Sequence, residues 1–202
     1  MDHSNPIKKL AKIGLNIAQN VQVAIARIFG LVDFPVPANS SMRKTSSKKV
    51  RHYYVSGIQS AVPIITSAQR EGVRFDKGTR VLDFGCGVGR QLLHFTRNLP
   101  EPDYYGCDID DTSIDFVQKA YPQVDAHTSS FSPPLKYDDA FFDMIYSVSI
   151  FSHLNMEDLG TWLAELGRIT RPGGYCFLTT EGETDISPLA PIFGTNESTD
   201  IN

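Results

Sequence analysis

The apolar positions of this 202-residue chain change their period twice. From Ile7 to Ile28, apolar or small residues recur at 7, 10, 11, 14, 17, 18, 21, 24, 25 and 28, with Lys8, Lys9, Lys12, Asn16 and Gln19 off that stripe. Spacing by threes and fours predicts an amphipathic helix. "DFPVPANSSMRKTSSKK" follows, with two prolines, many hydroxyls and a cluster of cations, the composition of a solvated linker. "VRHYYVSGIQSAVPIITSAQREGV" reads as helix with an interruption near Pro63. Beyond it, strand and helix alternate through "RVLDFG", "RQLLHFTRNL", "YYGCDID", "TSIDFVQKAY", "VDAHTSS", "FFDMIYSVSIF", "MEDLGTWLAELGRIT" and "GYCFLTT". This rhythm predicts an α/β fold: a Rossmann-like, doubly wound parallel sheet of about five strands with flanking helices. The domain plan is a basic helix and linker over 1–49, the α/β domain over 50–180 and a polar tail over 181–202.

Composition sharpens that plan. Apolar residues make up 41% of the chain, enough for a real core. Cys86, Cys107 and Cys176 form no CxxC pair and lie in strand-like runs, which points to reduced thiols, a cytoplasmic setting and no zinc site. Nine of the 19 Lys and Arg, but only two of the 23 Asp and Glu, fall within the first 52 residues. The α/β domain is therefore acidic, and nucleic acid is not an expected partner. For the Ile7–Ile28 helix the readings are packing on the domain or on a second copy, peripheral contact with the inner membrane face, or a poor signal peptide. It is no transmembrane span, because the uncharged run from Ile13 to Ala26 is short and holds Asn16, Gln19, Asn20 and Gln22.

The candidate chemistry centres on "TRVLDFGCGVGRQLLHF", Thr79 to Phe95. Glycines between an apolar strand and a helix let a backbone approach a ligand closely. The dinucleotide fingerprint is G-x-G-x-x-G; here the glycines are Gly85, Gly87 and Gly89, and Arg90 stands where the third would be. Asp83 would repel a pyrophosphate but attract an ammonium or sulfonium. Asp108, about twenty residues beyond the glycines, is placed to accept both hydroxyls of a ribose. Asp110 and Asp111 are better placed than Asp108 to cap the next helix.

Four segments in register, "VLDFGCGVGR", "YYGCDID", "FFDMIYSVSIFSHL" and "ELGRITRPGGYCFLTT", together resemble class I S-adenosylmethionine-dependent methyltransferases. The resemblance is to the small-molecule branch often called methyltransferase type 11 or 12, and it runs from about Val50 to Thr180. It implies S-adenosylmethionine as cofactor, with Gly85, Cys86, Gly87 and Gly89 under its methionine part. Asp83 would receive the ammonium, Asp108 the ribose, and Ile109 the adenine. Ser129, Ser130 and Phe131 stand where many relatives carry a "GDA"-like segment, leaving Ser130 to bond the adenine with Phe131 beside it. Ser147 would touch the cofactor. His153 is the candidate general base, with a helix-cap or packing role as the alternative. The segment from Arg51 would be a lid helix over 50–72, with Tyr53 or Tyr54 reaching the site or packing in the core. "SPPLKY" differs from the catalytic (D/N/S)-P-P-(Y/F/W) motif in having Leu135 at the fourth position and in preceding the fourth strand, so it reads as a plain loop.

The implied activity is methyl transfer to a small-molecule acceptor, lipid- or sugar-derived. A scaffold that keeps the fold without catalysis and a nicotinamide-dependent oxidoreductase are the alternatives. The family sheet carries two further strands after the fifth, and the remaining 22 residues are too few and too polar to supply them. A fifth strand left at the edge predicts self-association there.

Overall fold

The computed structural model describes residues 33–38 and 50–179, apart from the side chain of His153. The Ile7–Ile28 helix, most of the linker and the 181–202 tail lie outside the described residues. The elements are α1 (Val50–Arg70), β1 (Arg80–Phe84), α2 (Leu92–Asn98), β2 (Asp103–Asp108), α3 (Asp111–Ala120), β3 (Val124–Thr128), β4 (Phe142–Ser147), a 3₁₀ turn (Phe151–His153), α4 (Met156–Ile169) and β5 (Thr170–Leu178). All four strand pairings are parallel, in the order β3-β2-β1-β4-β5.

The sheet divides the core in two because successive side chains of a strand face opposite ways. Val81, Met144 and Tyr146 pack with Tyr53, Ile64, Leu92, Phe95 and Val117 of α1, α2 and α3. Leu82, Phe84 and Ile145 pack with Trp162, Leu163 and Leu166 of α4. Right-handed crossovers explain the split: the chain walks outward from β1 through β2 and β3, returns to β4 and walks the other way to β5, which puts α4 on the opposite face. Strand order therefore reverses between β1 and β4, and their carboxyl ends open a crevice there.

Two expectations need correction. α1 runs uninterrupted through Pro63, because Pro63 and Gln59 both face solvent, where water can satisfy the Gln59 carbonyl that the ring deprives of its amide partner. β4 stops at Ser147 rather than continuing to Phe151: Ser149 adopts φ 61° and turns the chain out of the sheet.

The "SPPLKY" loop is bound to α4 rather than free. Glu165, buried, accepts from the Leu135 amide at 2.7 Å and from Arg168 Nη2 at 2.7 Å and Nε at 2.9 Å. Arg168 also pairs with Asp139 at 2.6 Å. Its guanidinium, with the Leu135 amide, holds the Glu165 carboxyl below the usual range. Glu165→Ala leaves both donors without that acceptor and is expected to cost about 2–3 kcal/mol, near the lower bound for breaking a buried pair because Arg168 is partly exposed. Urea titration at pH 7 should show the midpoint falling with the slope unchanged. The folded pKa lies below the unfolded one, so this contribution is present at neutral pH and disappears as pH falls through the folded pKa.

Candidate functional site

The crevice at the β1/β4 reversal is built from backbone first. Gly85 and Cys86 donate their amides to the Cys107 carbonyl at 2.9 and 3.0 Å, which ties the turn after β1 to the end of β2. Gly85, Gly87 and Gly89 have φ of 76°, 51° and 71°. At Gly85 a side chain is excluded twice, by that φ and by Ile150, whose side chain lies so close that a Cβ would overlap it. The turn is thus a bare backbone surface with Ile150 alongside.

Asp108 closes the turn from the other strand. Its Oδ2 accepts the Gly87 amide at 2.8 Å and its Oδ1 the Asp110 amide at 2.9 Å. Each carboxylate oxygen keeps a further acceptor position, so the group can still take two hydroxyls. Asp110 stands at the helix cap position of α3 but accepts the Ser113 hydroxyl at 2.6 Å instead of an amide, and Asp111 accepts the Thr128 hydroxyl at 2.6 Å.

Asp83 is the strongest electrostatic feature. Only 2% exposed at the end of β1, it has an Oδ2 without a hydrogen-bond partner among the described residues. Burial pushes its pKa up to about 8, Asp108 adds to the rise, and Tyr146 and Arg90 temper it. Tyr146 is its register partner on β4, near enough to influence the carboxyl yet outside hydrogen-bond geometry. Arg90 donates Nη1 to Ser56 of α1 at 3.2 Å, while its Nε is buried without a partner among the described residues. Ser147, fully buried at the end of β4, also has an unpartnered hydroxyl among these residues. A buried, unpaired carboxylate oxygen beside an unpaired guanidinium nitrogen suits a ligand that carries both charges, such as the ammonium and carboxylate of an amino acid.

The rim supplies apolar surface. Ile109 and Phe131, following β2 and β3, are exposed, Phe131 to 69%. Large exposed apolar side chains beside a crevice suit a flat heterocycle. Ser130 instead donates its hydroxyl to the Ser132 carbonyl at 2.9 Å, turning it into its own loop. Cys86 is buried under the turn, and burial raises its thiol well above the ordinary range, which makes it a packing group and a poor nucleophile. His153 ends the 3₁₀ turn after β4, and its side chain lies outside the described residues.

The two tyrosines of α1 are held by different partners. Tyr53 is buried and donates to the Val88 carbonyl at 3.0 Å, and Tyr54 stacks on Phe34 with centroids 4.9 Å apart. Tyr53 thus ties α1 to the glycine turn, and Tyr54 packs against Phe34 and His94. What seats α1 is Gly57, where an added Cβ would come within 2.6 Å of His94 Nε2 and 2.7 Å of the Arg90 carbonyl. Gly57→Leu must move α1 off the helix beneath it, and overpacking exceeds the ~1 kcal/mol a helix gains on losing glycine. A net loss of about 2 kcal/mol, or about 4–8 °C in Tm, is expected by calorimetry; a higher Tm would mean that this contact does not seat the helix.

Sequence reasoning missed Arg90, Tyr146 and Ile150. Arg90 was legible only as a missing glycine, Tyr146 was one aromatic in an apolar strand, and Ile150 was assigned to that strand. A cation directly after a glycine turn was the available signal for the first. The other two depend on which strand lies beside β1.

Residues 81–174 match a family model described as a methyltransferase domain. The chain is 32% identical over 120 residues to the tRNA N(3)-cytidine methyltransferase METTL2 of Danio rerio, covering 54% of this chain and 34% of that protein. It is 33% identical over 127 residues to the phthiotriol/phenolphthiotriol dimycocerosates methyltransferase 1 of Mycobacterium ulcerans, covering 57% and 46%. The chain thus spans less than half the length of these two relatives. In fold it is similar to the PH0226 protein of Pyrococcus horikoshii, with TM-score 0.52 and 22% identity over 68% of this chain and 61% of that one. The parallel sheet, the glycine turn and the acidic crevice are those of a nucleoside-binding α/β domain. The family match and the relatives, with the fold, support a class I S-adenosylmethionine-dependent methyltransferase, an enzyme class whose cofactor is S-adenosylmethionine.

Proposed function

We propose that the protein transfers the methyl group of S-adenosylmethionine to a small, largely apolar acceptor of lipid type. The observation that carries this reading is the crevice itself, in which the unpartnered Asp83 Oδ2 and Arg90 Nε and the remaining acceptor positions of Asp108 lie inside a rim with exposed Ile109 and Phe131. In this reading Asp83 takes the methionine ammonium, Arg90 its carboxylate and Asp108 the ribose hydroxyls. The turn at Gly85, Cys86, Gly87 and Gly89 would pass beneath the methionine, Ile109 and Phe131 would flank the adenine with Ser130 at its edge, and Ser147 and Ile150 would wall the reacting side. The cofactor supplies a carbon already activated by its sulfonium. The chain's own work is alignment and exclusion of water, and those can carry most of the rate. His153 follows β4 at the acceptor side and is the residue proposed to take a proton where the acceptor must lose one.

Charge favours a small acceptor over RNA. Residues 50–179 carry 16 Asp and Glu against 11 Lys and Arg, a balance that repels phosphate backbones. The mycobacterial relative named above, and a fatty-acid O-methyltransferase of Mycolicibacterium smegmatis that is 31% identical over 106 residues, lend support to a lipid. Incubation with methyl-labelled S-adenosylmethionine and either a total lipid extract or transfer RNA tests the reading. Label in the organic phase supports it, and label in RNA alone overturns it. The outer edge of β5 is the proposed surface for self-association; a mass that rises with concentration in light scattering is expected, and a constant monomer mass would remove that part.

A further inference from the structure

α1 uses only part of its circumference in the crevice and core. Tyr53, Gly57, Ala61, Ile64 and Ala68 are buried, but a second apolar stripe runs beside them. Val55, Ile58 and Val62 are 40%, 37% and 52% exposed, and Ile65, half-buried, continues the line. Their spacing of three, four and three residues lines one side of a helix over about three turns, the form of a seam made to receive another helix.

The described chain resumes at the foot of this stripe. Asp33 pairs with Arg97 of α2 through two bonds of 2.9 and 2.8 Å, Phe34 stacks on Tyr54 of α1, and Pro37 is buried. Only residues 29–32 separate this anchor from the predicted Ile7–Ile28 helix, a tether that reaches about 14 Å when extended. That exceeds one helix diameter of about 10 Å, so the segment can lie alongside α1 with its C-terminal end at Tyr54, antiparallel to it. The lengths agree as well: the 22 residues from 7 to 28 and the 21 of α1 would each span about 32 Å as helices.

We propose that the Ile7–Ile28 segment docks through its apolar stripe on Val55, Ile58, Val62 and Ile65 of α1, with its lysines left toward solvent. A second copy or a lipid surface would have to compete with a segment held by so short a tether. Its effective concentration is of millimolar order, which favours the chain's own segment over another copy at micromolar protein. Because Ser56 on the same helix holds Arg90 at the glycine turn, the docked segment would brace a helix that borders the crevice.

The test uses the full chain with Ile58→Cys labelled by a benzophenone maleimide. Cys86 and Cys107 are buried, and the parent chain, carried through the same labelling, accounts for reaction at Cys176. Irradiation followed by digestion and mass spectrometry should yield cross-links to residues 7–28 within the monomer, at a yield unchanged by tenfold dilution. Adding Val62→Asp should reduce that yield at least fivefold, and the same label at Thr161→Cys on α4 should give no such product. Cross-links in a dimer that fade on dilution would assign the stripe to a second copy. Loss of the internal product to lipid adducts on adding phosphatidylglycerol vesicles would assign it to a membrane. Either result, or no cross-link to residues 7–28, overturns the proposal.

Discussion

Asp108→Ala is expected to weaken S-adenosylhomocysteine binding by about thirty- to several-hundred-fold, the equivalent of roughly 2–4 kcal/mol. The carboxylate holds the Gly87 amide at 2.8 Å and the Asp110 amide at 2.9 Å, so it shapes the glycine turn and offers its remaining acceptor positions to the ribose. The substitution removes both functions. Calorimetric titration of the folded variant measures the effect. A loss below threefold would mean that Asp108 serves the turn alone and that the ribose is held elsewhere.

The second large effect is a pH dependence centred on Asp83. Burial pushes this carboxyl up to about 8, so in the free protein it is mostly protonated below neutrality. A ligand ammonium requires the carboxylate, and binding must then expel a proton. The groups that face Asp83 are Tyr146 on β4, Asp108 and Cys107 on β2, and Cys86, Arg90 and Tyr53 from the glycine turn and α1. Affinity for S-adenosylhomocysteine should rise about tenfold per pH unit, or about thirtyfold between pH 5.5 and 7.0. Nearly one proton should be released per site at pH 6.5 when titrations in two buffers are compared. Asp83→Asn should abolish both the slope and the release. Stability of the free protein runs the opposite way: the folded pKa lies above the unfolded value of 3.8, so the contribution is complete below about pH 4 and is lost as pH rises through about 8. A flat affinity profile with no proton release would show that no ligand cation reaches Asp83.

Much of this was legible in the sequence, and the exceptions have physical causes. The parallel sheet followed from short apolar runs alternating with helical ones, because strands buried on both faces leave no polar alternation to confuse the reading. Gly85 was legible because positive φ and close packing both demand glycine there. The end of β4 was not, because "SVSIF" continues an apolar run and only the φ of Ser149 turns it out of the sheet. Pro63 misled in the other direction, since a proline breaks a helix less when its side of the helix faces water. Arg90, Tyr146 and the bond from Leu135 to Glu165 depend on contacts 30 or more residues apart in the chain, and no local pattern carries such contacts.

The most direct test of the central claim is a calorimetric titration of the full chain with S-adenosylhomocysteine and, in parallel, with NAD. A saturable isotherm of one ligand per chain is expected for S-adenosylhomocysteine, stronger at pH 7.0 than at pH 5.5, with no binding of NAD. Saturable binding of NAD, or no binding of S-adenosylhomocysteine at millimolar concentration, would contradict it.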